Sequence, residues 1–503
     1  MKCGKSGPSG PDSLELSLMT PNKTTTDIPF CIAVLGAGIS GLSAAYRLAL
    51  QKQSGTRNLK IDVWEKNHRV GGVLQTDHFD QYQVEQSADN FITTVPWGMD
   101  LCRELGLMDD LVQTNPEVRR TYVVRKGRLH LLPDGFLMLA PTKLWPMAVT
   151  PILSPIGKIR AGLELLIPSR KDDKDESMAQ FVRRRLGKEV FERLVEPLVS
   201  GVYAADMEKL SVLATLARFR EMEKKYGSLI WAMQRQLRAN RAAHLSEQSG
   251  ARYSMFVTLK KGLSFLCEKL AEKLPPDSLH LGRQIVKADR FRLDGVNRWK
   301  WSLTDSNGRT EEYDAVICAL PSHEAARLLD DSLPALSGRL GRIEHQGTAI
   351  ATFAFDATQL KQQVHGMGFV VPTIEKSPIL AGSFSSLKYK HRAPEGKLLI
   401  RLFAGGARAP EMPEMPNEQL IPLLLAEMKK ILKIEGEPHL TTVSHWPRTM
   451  PQYHVGHLDL VKEIEKQVAT LPDFAIAGNA FHGVGIPNCS YSGQIAAEKI
   501  LSQ

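Results

Sequence analysis

The stretch from residue 30 to residue 65 constrains this chain most. Residues 30–35 (FCIAVL) are an apolar run of strand length bounded by glycine. Gly36-Ala37-Gly38-Ile39-Ser40-Gly41 follows, then residues 42–50, where Ala44, Ala45, Leu48 and Ala49 give a helix its packing face. A loop at 51–58 leads to residues 60–65 (KIDVWE), which alternate like a strand and stop at an acid. This is the opening of a Rossmann-type sheet, and that context gives the Gly-x-Gly-x-x-Gly pattern its weight. Gly36 permits the tight turn, Gly38 has no side chain to block a pyrophosphate, and Gly41 lets helix and strand approach. Free N–H groups at the helix start, including those of Ala37, Ile39 and Ser40, face phosphate charge. Glu65 stands 24 residues past Gly41, where a carboxylate accepts hydrogen bonds from an adenosine ribose. The competing reading is a glycine turn that only packs a helix on a sheet.

Two further glycine segments extend the pattern. Glu65-Lys66-Asn67-His68-Arg69-Val70-Gly71-Gly72 places an arginine and paired glycines just after the ribose acid. An arginine there completes charge neutralisation at a pyrophosphate, and the glycines let a second loop approach the cofactor. Near the other end lies Ala477-Gly478-Asn479-Ala480-Phe481-His482-Gly483-Val484-Gly485-Ile486-Pro487, after a strand at 474–477 and before a helix at about 492–501. The positive end of such a helix stabilises negative charge on a bound ring. A plain strand–turn–helix connector fits these residues equally well.

Composition excludes several classes. At 503 residues, with 43% hydrophobic and 24% charged residues, the chain is ordinary globular material of two or three domains. The net charge of +9 favours anionic ligands or an anionic membrane surface. No basic run is interleaved with aromatics, so no nucleic-acid partner is expected. Six cysteines lie far apart with no C-x-x-C, which fits buried thiols in a reducing compartment. No apolar run reaches the length of a membrane span. The longest uncharged run in the apolar region, residues 144–157, is interrupted by Pro146, Pro151 and Pro155; it can touch a membrane but not cross one. Residues 1–28 read as a disordered leader with neither a secretory nor a transit signal.

Along the chain, residues 95–290 read as mainly helical, and residues 171–176 (KDDKDE) as a solvated loop. Short strands return near Arg283. Residues 312–320 (EYDAVICAL) read as one strand, and 349–355 and 398–403 as others. The expected division is a leader at 1–28, a nucleotide-binding domain built from 29–94, 226–330 and 461–503, a helical substrate-entry or membrane-contact domain at 95–225, and a mixed β substrate domain at 331–460. The fold class is therefore α/β with α+β insertions.

The Gly-Val-Gly-Ile-Pro turn with Asn488 and Cys489 resembles the C-terminal signature of the protoporphyrinogen/coproporphyrinogen oxidases. The segments 177–190, 196–206, 226–228, 259–263 and 450–457 resemble the same family, so the resemblance runs from about residue 30 to 501. The E-x-x-x-R-x-G-G arrangement is similar to that of FAD-binding oxidoreductases. The resemblance implies a Rossmann-like FAD-binding domain of the amine oxidase/porphyrinogen oxidase type. It also implies a six-electron oxidation of a porphyrinogen substrate, with hydride passing to the flavin, oxygen as acceptor and hydrogen peroxide released. Coproporphyrinogen III is the expected substrate, because no organelle signal is present; protoporphyrinogen IX is the alternative. The place implied is the cytoplasm, with room for a peripheral membrane contact on the inner face and for a homodimer.

Carried over by this resemblance, FAD is held by Gly36, Ala37, Gly38, Ile39, Ser40, Gly41, Glu65, Lys66, Arg69, Val70, Gly71, Gly72, Val286, Gly478, Asn479, Val484, Gly485 and Ile486. Gly201, Val370 and Tyr389 would contact substrate, and no amino-acid side chain is assigned the redox chemistry. Core packing is the competing role for Val370 and Tyr389. His454 and His457 read as a structural pair and not as metal ligands; Arg183-Arg184-Arg185 reads as a solvated helix face. Residues 129–167 resemble the family's membrane-contacting segment, with helical core as the alternative. Two departures stand out: Gln86-Ser87-Ala88 replaces the usual Gly-Pro after Glu85, and residues 89–96 (DNFITTVP) supply no cation for a substrate propionate. The other classes compatible with the motifs are a flavin amine oxidase or desaturase, and a non-catalytic nucleotide- or porphyrin-binding protein.

Overall fold

The computed structural model describes residues 29–55, 57–246, 255–293, 295 and 298–503. The expected leader and Cys3 lie outside the described residues.

Phe30–Leu35 is a strand, Ile39–Gln53 a helix and Leu59–Trp64 the next strand. The helix starts inside the glycine motif, with Gly38 as N-cap, and runs on into the expected loop. Five strands form one parallel sheet in the order Leu279–His280, Leu59–Trp64, Phe30–Leu35, Ala315–Cys318, Phe474–Ile476. Its central strands are buried on both faces, as a parallel sheet covered by helices requires. Segments from both ends of the chain thus complete one sheet, as expected. The closing helix is longer than its sequence suggests: it spans Ile486–Leu501 and begins directly at the glycine turn, with Pro487 in its first turn.

The single strand expected at 312–320 is two strands. Thr310–Tyr313 joins a three-stranded antiparallel sheet, and Ala315–Cys318 joins the parallel one. The chain switches sheets at Asp314, whose carboxylate accepts the Cys31 N–H at 2.8 Å and pairs with Arg298. The corner falls where the half-exposed Thr310–Tyr313 (TEEY) gives way to the fully buried Ala315–Cys318 (AVIC).

The second layer is a seven-stranded sheet ordered Leu440–Pro451, His345–Asp356, Lys397–Gly405, Ile379–Phe384, Gly368–Val370, Thr121–Arg125, Arg128–Leu131. Only the Gly368–Val370 and Thr121–Arg125 pair is parallel. Two of its strands therefore come from the region expected to be helical. The helical layer in turn continues past residue 225, in Leu229–Ser246.

The arginine triplet corrects the expectation of a solvated face. Consecutive helical residues point about 100° apart, so three in a row cannot share one face. In the helix Met178–Arg185, Arg183 faces out and pairs with Glu208. Arg184 bridges Glu176 at 2.6 Å and Glu223 at 2.5 Å. Arg185 is fully buried and pairs with the equally buried Glu164, whose second oxygen accepts the Ser228 hydroxyl at 2.5 Å. Residues 129–167 are divided: Met147, Ile152, Leu153 and Ala161 join the buried core of the helical layer, and other side chains of the segment face out. The short helices Leu144–Val149 and Pro155–Gly162 expose Trp145 (75%), Ile156 (81%) and, just beyond them, Leu166 (78%). Glu189 anchors this exposed ridge by accepting both the N–H and the hydroxyl of Ser154, at 2.9 and 2.6 Å.

Candidate active site

A cavity of about 1480 Å³ runs between the two sheets. That exceeds the roughly 300–1,000 Å³ usual for one small ligand. One limb is the glycine cradle. Gly36 adopts φ +98° and Gly71 φ +100°, a left-handed backbone open to glycine. The Gly71 N–H donates to the Ala37 carbonyl at 2.8 Å, and a Cβ on Gly72 would lie 3.3 Å from Gly38 Cα. The first and second glycine loops therefore touch. A Cβ on Gly41 would stand 1.9 Å from the Gly36 carbonyl oxygen, so Gly41 serves close helix–strand packing.

Gly38 is different. Its φ of −72° suits any residue, and a Cβ there would meet nothing within 4 Å. Gly485, N-cap of the closing helix, has the same φ of −72°. Both face the cavity, and neither is required to be glycine by its backbone. The cradle is thus shaped to let a ligand come close to the main chain at two helix N-termini, which fits a dinucleotide pyrophosphate at one and a ring at the other. The two helices pack directly: a Cβ on Gly493 would lie 2.0 Å from the Ser40 carbonyl oxygen, and the Ser43 and Ser490 hydroxyls are 3.1 Å apart.

Most of the expected cofactor residues line this limb, among them Ile39, Ser40, Lys66, Gly478, Asn479, Val484 and Ile486. Ala37, Gly41 and Val70 stand behind it and hold its shape. Glu65 lines it and is already engaged: one oxygen accepts the Ala37 N–H and the other the Asn67 N–H, both at 2.9 Å. Arg69 lines it too, but its guanidinium ties the loop together through the carbonyls of Val70, Gly72 and Leu74 at 3.1, 2.6 and 3.2 Å. Val286 sits at a β-bulge, between Ile285 and Lys287 which have partners in the next strand, and it lines the cavity.

The other limb runs under the seven-stranded sheet, past Gly201, Thr348, Ile350, Leu380 and Phe403. Gly201 is on its wall. Val370 is one layer behind, 3.9 Å from where a Gly201 Cβ would stand, within the helical core. Tyr389 is buried beneath the Arg392 guanidinium, 4.4 Å from its ring centre.

Sequence reasoning passed over a charged cluster at this wall. Asp89 and Lys388 line the cavity, with Lys388 Nζ 3.1 Å from Asp89 Oδ1; Arg392 approaches Asp89 Oδ2 at 3.3 Å and Arg401 at 3.6 Å. Burial works to raise the Asp89 carboxyl, but Lys388 and then the two arginines outweigh it and hold the group well below the usual carboxylate range. Burial lowers Lys388 and raises Glu85. The sequence signal for it is Lys388, directly beside Tyr389.

Tyr453 was also missed as a site residue. Its hydroxyl donates to the Asn479 carbonyl at 2.5 Å and accepts the Gly483 N–H at 2.8 Å. It therefore fixes the third glycine turn from inside. His457 stacks on its ring at 4.1 Å, and burial pushes that imidazole down to about 4. His454 lies 3.8 Å from Glu344, apart from that stack. Among the described residues no His, Cys, Asp and Glu cluster could hold a metal. Cys489 lines the cavity, and burial pushes its thiol up to about 12. His482 is exposed and 2.5 Å from Glu465.

A dinucleotide cradle opening into an apolar chamber is the arrangement of a dinucleotide-dependent enzyme. Known proteins agree. The family described as "Flavin containing amine oxidoreductase" matches residues 39–501. A coproporphyrinogen III oxidase of Bacillus subtilis is 33% identical, covering 94% of this chain and 98% of its own. One of Staphylococcus aureus is 31% identical, with 94% and 99% covered. The crystal structure of an Exiguobacterium protein provisionally assigned as a protoporphyrinogen oxidase superposes with a TM-score of 0.80 at 30% identity, covering 94% of this chain and 99% of that one. The chain belongs to the flavin containing amine oxidoreductases, and within them to the protoporphyrinogen/coproporphyrinogen oxidase family.

Proposed function

We propose that this chain oxidises coproporphyrinogen III to coproporphyrin III, with oxygen as terminal acceptor and hydrogen peroxide released. The observation that carries this reading is the continuity of the cavity: the glycine cradle and the apolar chamber under the sheet are one space. When bound, FAD supplies the hydride acceptor. The protein does the rest. Gly38 and Gly485 admit the cofactor to the main chain, Glu65 offers a carboxylate at the ribose position, and Val286 borders the cavity from its β-bulge. Gly201, Ile350, Leu380 and Phe403 exclude water around a flat macrocycle. Asp89, kept ionised, holds Lys388, Arg392 and Arg401 together at the chamber wall. Val370 and Tyr389 act behind the wall, as supports.

Protoporphyrinogen IX is the second reading, favoured by the likeness to the Exiguobacterium protein. The test is to supply both porphyrinogens aerobically to the FAD-loaded protein and follow porphyrin fluorescence. Faster oxidation of coproporphyrinogen III supports the reading; preference for protoporphyrinogen IX selects the second. No rate above autoxidation with either removes both.

The exposed ridge around Trp145, Ile156 and Leu166 supports a peripheral contact with the inner membrane face. An apolar patch of this kind marks an interaction surface. Among the described residues no helix is long and apolar enough to cross a membrane. A homodimer is part of the same expectation, to be read by light scattering.

A further inference from the structure

We propose that Lys388 receives one carboxylate arm of the substrate at the wall of the apolar chamber, with Asp89 holding the lysine in place and Arg392 and Arg401 fixing Asp89 from behind. This inference rests on the porphyrinogen reading and deepens it, because residues 89–96 offer no cation for that task.

The place of Lys388 follows from the sheet. It ends the short helix Ser385–Lys388, which follows directly on the strand Ile379–Phe384, and Leu380 of that strand lines the chamber. Arg401 Nη1 lies 3.6 Å from Asp89 Oδ2, and its guanidinium is 5.2 Å from the ring centre of Phe403, another chamber residue. Of this charged set only Asp89 and Lys388 line the cavity; Arg392 and Arg401 are buried behind them. Among the described residues five lysine and arginine side chains line the whole cavity, and four of them belong to the nucleotide-binding layer. Lys66 and Arg69 stand on the second glycine loop. Arg283 follows the strand Leu279–His280 and pairs with Asp305 at 2.7 Å. Arg327 stands on the helix Ser322–Leu328 and pairs with Glu324. Lys388 is the one contributed by the layer of the seven-stranded sheet.

An ammonium carries three N–H donors. Lys388 Nζ bonds to the two Asp89 oxygens, at 3.1 and 3.2 Å, so at least one donor has no partner among the described residues. The charge balance points the same way. Three cations, Lys388, Arg392 and Arg401, stand against two carboxylates, Asp89 and Glu85. A positive surplus in a buried place calls for an anion, and the member that faces the cavity is the one able to take it. A carboxylate arriving at Lys388 leaves Asp89 compensated, because Arg392 approaches it at 3.3 Å and Arg401 at 3.6 Å. Arg392 also donates to the Asp89 carbonyl at 2.7 Å, which fixes the acid while the lysine serves a second partner. A lysine presents a point charge and no rigid fork, which suits an arm that turns on single bonds.

The test uses the FAD-loaded enzyme and fluorescent products as ligands, so that binding is read without turnover. Coproporphyrin III and its tetramethyl ester, in the same nonionic detergent, are titrated against the parent, Lys388→Met, Lys388→Arg and the double variant Asp89→Asn with Lys388→Met. The parent binds the acid more tightly than the ester. Lys388→Met weakens the acid about tenfold, and the arginine variant recovers most of that. The double variant removes both charges of the pair together and weakens the acid as Lys388→Met does, so it decides the matter where the single variant fails to hold FAD. The ester binds all four proteins equally. In turnover Lys388→Met raises KM about tenfold while kcat stays within about twofold. A parent that binds acid and ester alike, acid binding unchanged on loss of Lys388, or equal weakening of acid and ester overturns the proposal. A parent that prefers the acid but oxidises no porphyrinogen overturns the functional reading and leaves the receptor standing. A parent that oxidises coproporphyrinogen III while Lys388→Met does so with unchanged KM overturns the receptor alone; a parent that binds no porphyrin overturns both.

Discussion

Lys388 Nζ lies 3.1 Å from Asp89 Oδ1, joining residues 299 apart in sequence and closing the cavity wall where the two large layers meet. The pair does not stand alone: Arg392 and Arg401 crowd the same carboxylate from behind. Removing one partner of a buried charged set is far costlier than replacing the whole set, because the remainder is left uncompensated. Asp89→Asn is therefore expected to lower stability by about 3–5 kcal/mol, and Lys388→Met by less, since two arginines still face Asp89. Urea unfolding of the FAD-loaded protein checks the order; equal effects would contradict it.

Tyr453→Phe leaves the Gly483 N–H and the Asn479 carbonyl without their partner at the turn that borders the cavity. The expected loss is about 1–3 kcal/mol. Because that turn faces the cofactor, FAD affinity and the visible flavin spectrum change with it. A variant that loses stability with an unaltered spectrum would confine Tyr453 to packing.

His457 sets a pH dependence with a definite sign. Burial holds its imidazole at about 4, against roughly 6.5 in the unfolded chain. Between those values the unfolded state binds the extra proton. Stability is thus full above about pH 6.5 and falls as pH drops toward 4, by about 1.4 kcal/mol per pH unit. Melting temperatures from pH 8 to pH 5 read this, and His457→Gln should flatten the acid side.

Glu164 and Arg185 are both fully buried. Arg185→Met leaves the carboxylate unpaired and costs about 3–5 kcal/mol, with the helical layer lost first in hydrogen exchange. On the outside of that layer, Trp145→Ser with Ile156→Ser is expected to abolish sedimentation with anionic vesicles while leaving stability and turnover unchanged. Retained sedimentation would move the contact elsewhere.

The cofactor half of the site was legible because each glycine spacing reports a local backbone requirement, and the strand and helix beside it carry their own periodicity. Gly36 and Gly41 could be given their roles from sequence, and the structure finds them in those roles. The substrate half was not legible in that way. Thr121–Arg125 pairs with Gly368–Val370 across the whole helical layer, and no local pattern announces such a partner. The arginine triplet misled because composition speaks of charge and is silent about direction. Lys388 and Asp89 come from different layers, so their pairing exists only after folding. Tyr389 and Val370 were in the right neighbourhood but one layer too deep.

The most direct test of the account concerns Gly38 and Gly485, two helix N-caps whose backbones tolerate any residue. Aspartate is among the best N-cap residues, so Gly38→Asp and Gly485→Asp should leave the apoprotein as stable as the parent or more so. Each carboxylate would stand where the cofactor must approach. FAD titration should give one tight site per chain in the parent and none in either variant. Full FAD binding by either variant, or none by the parent, would contradict the claim that both turns enclose one flavin.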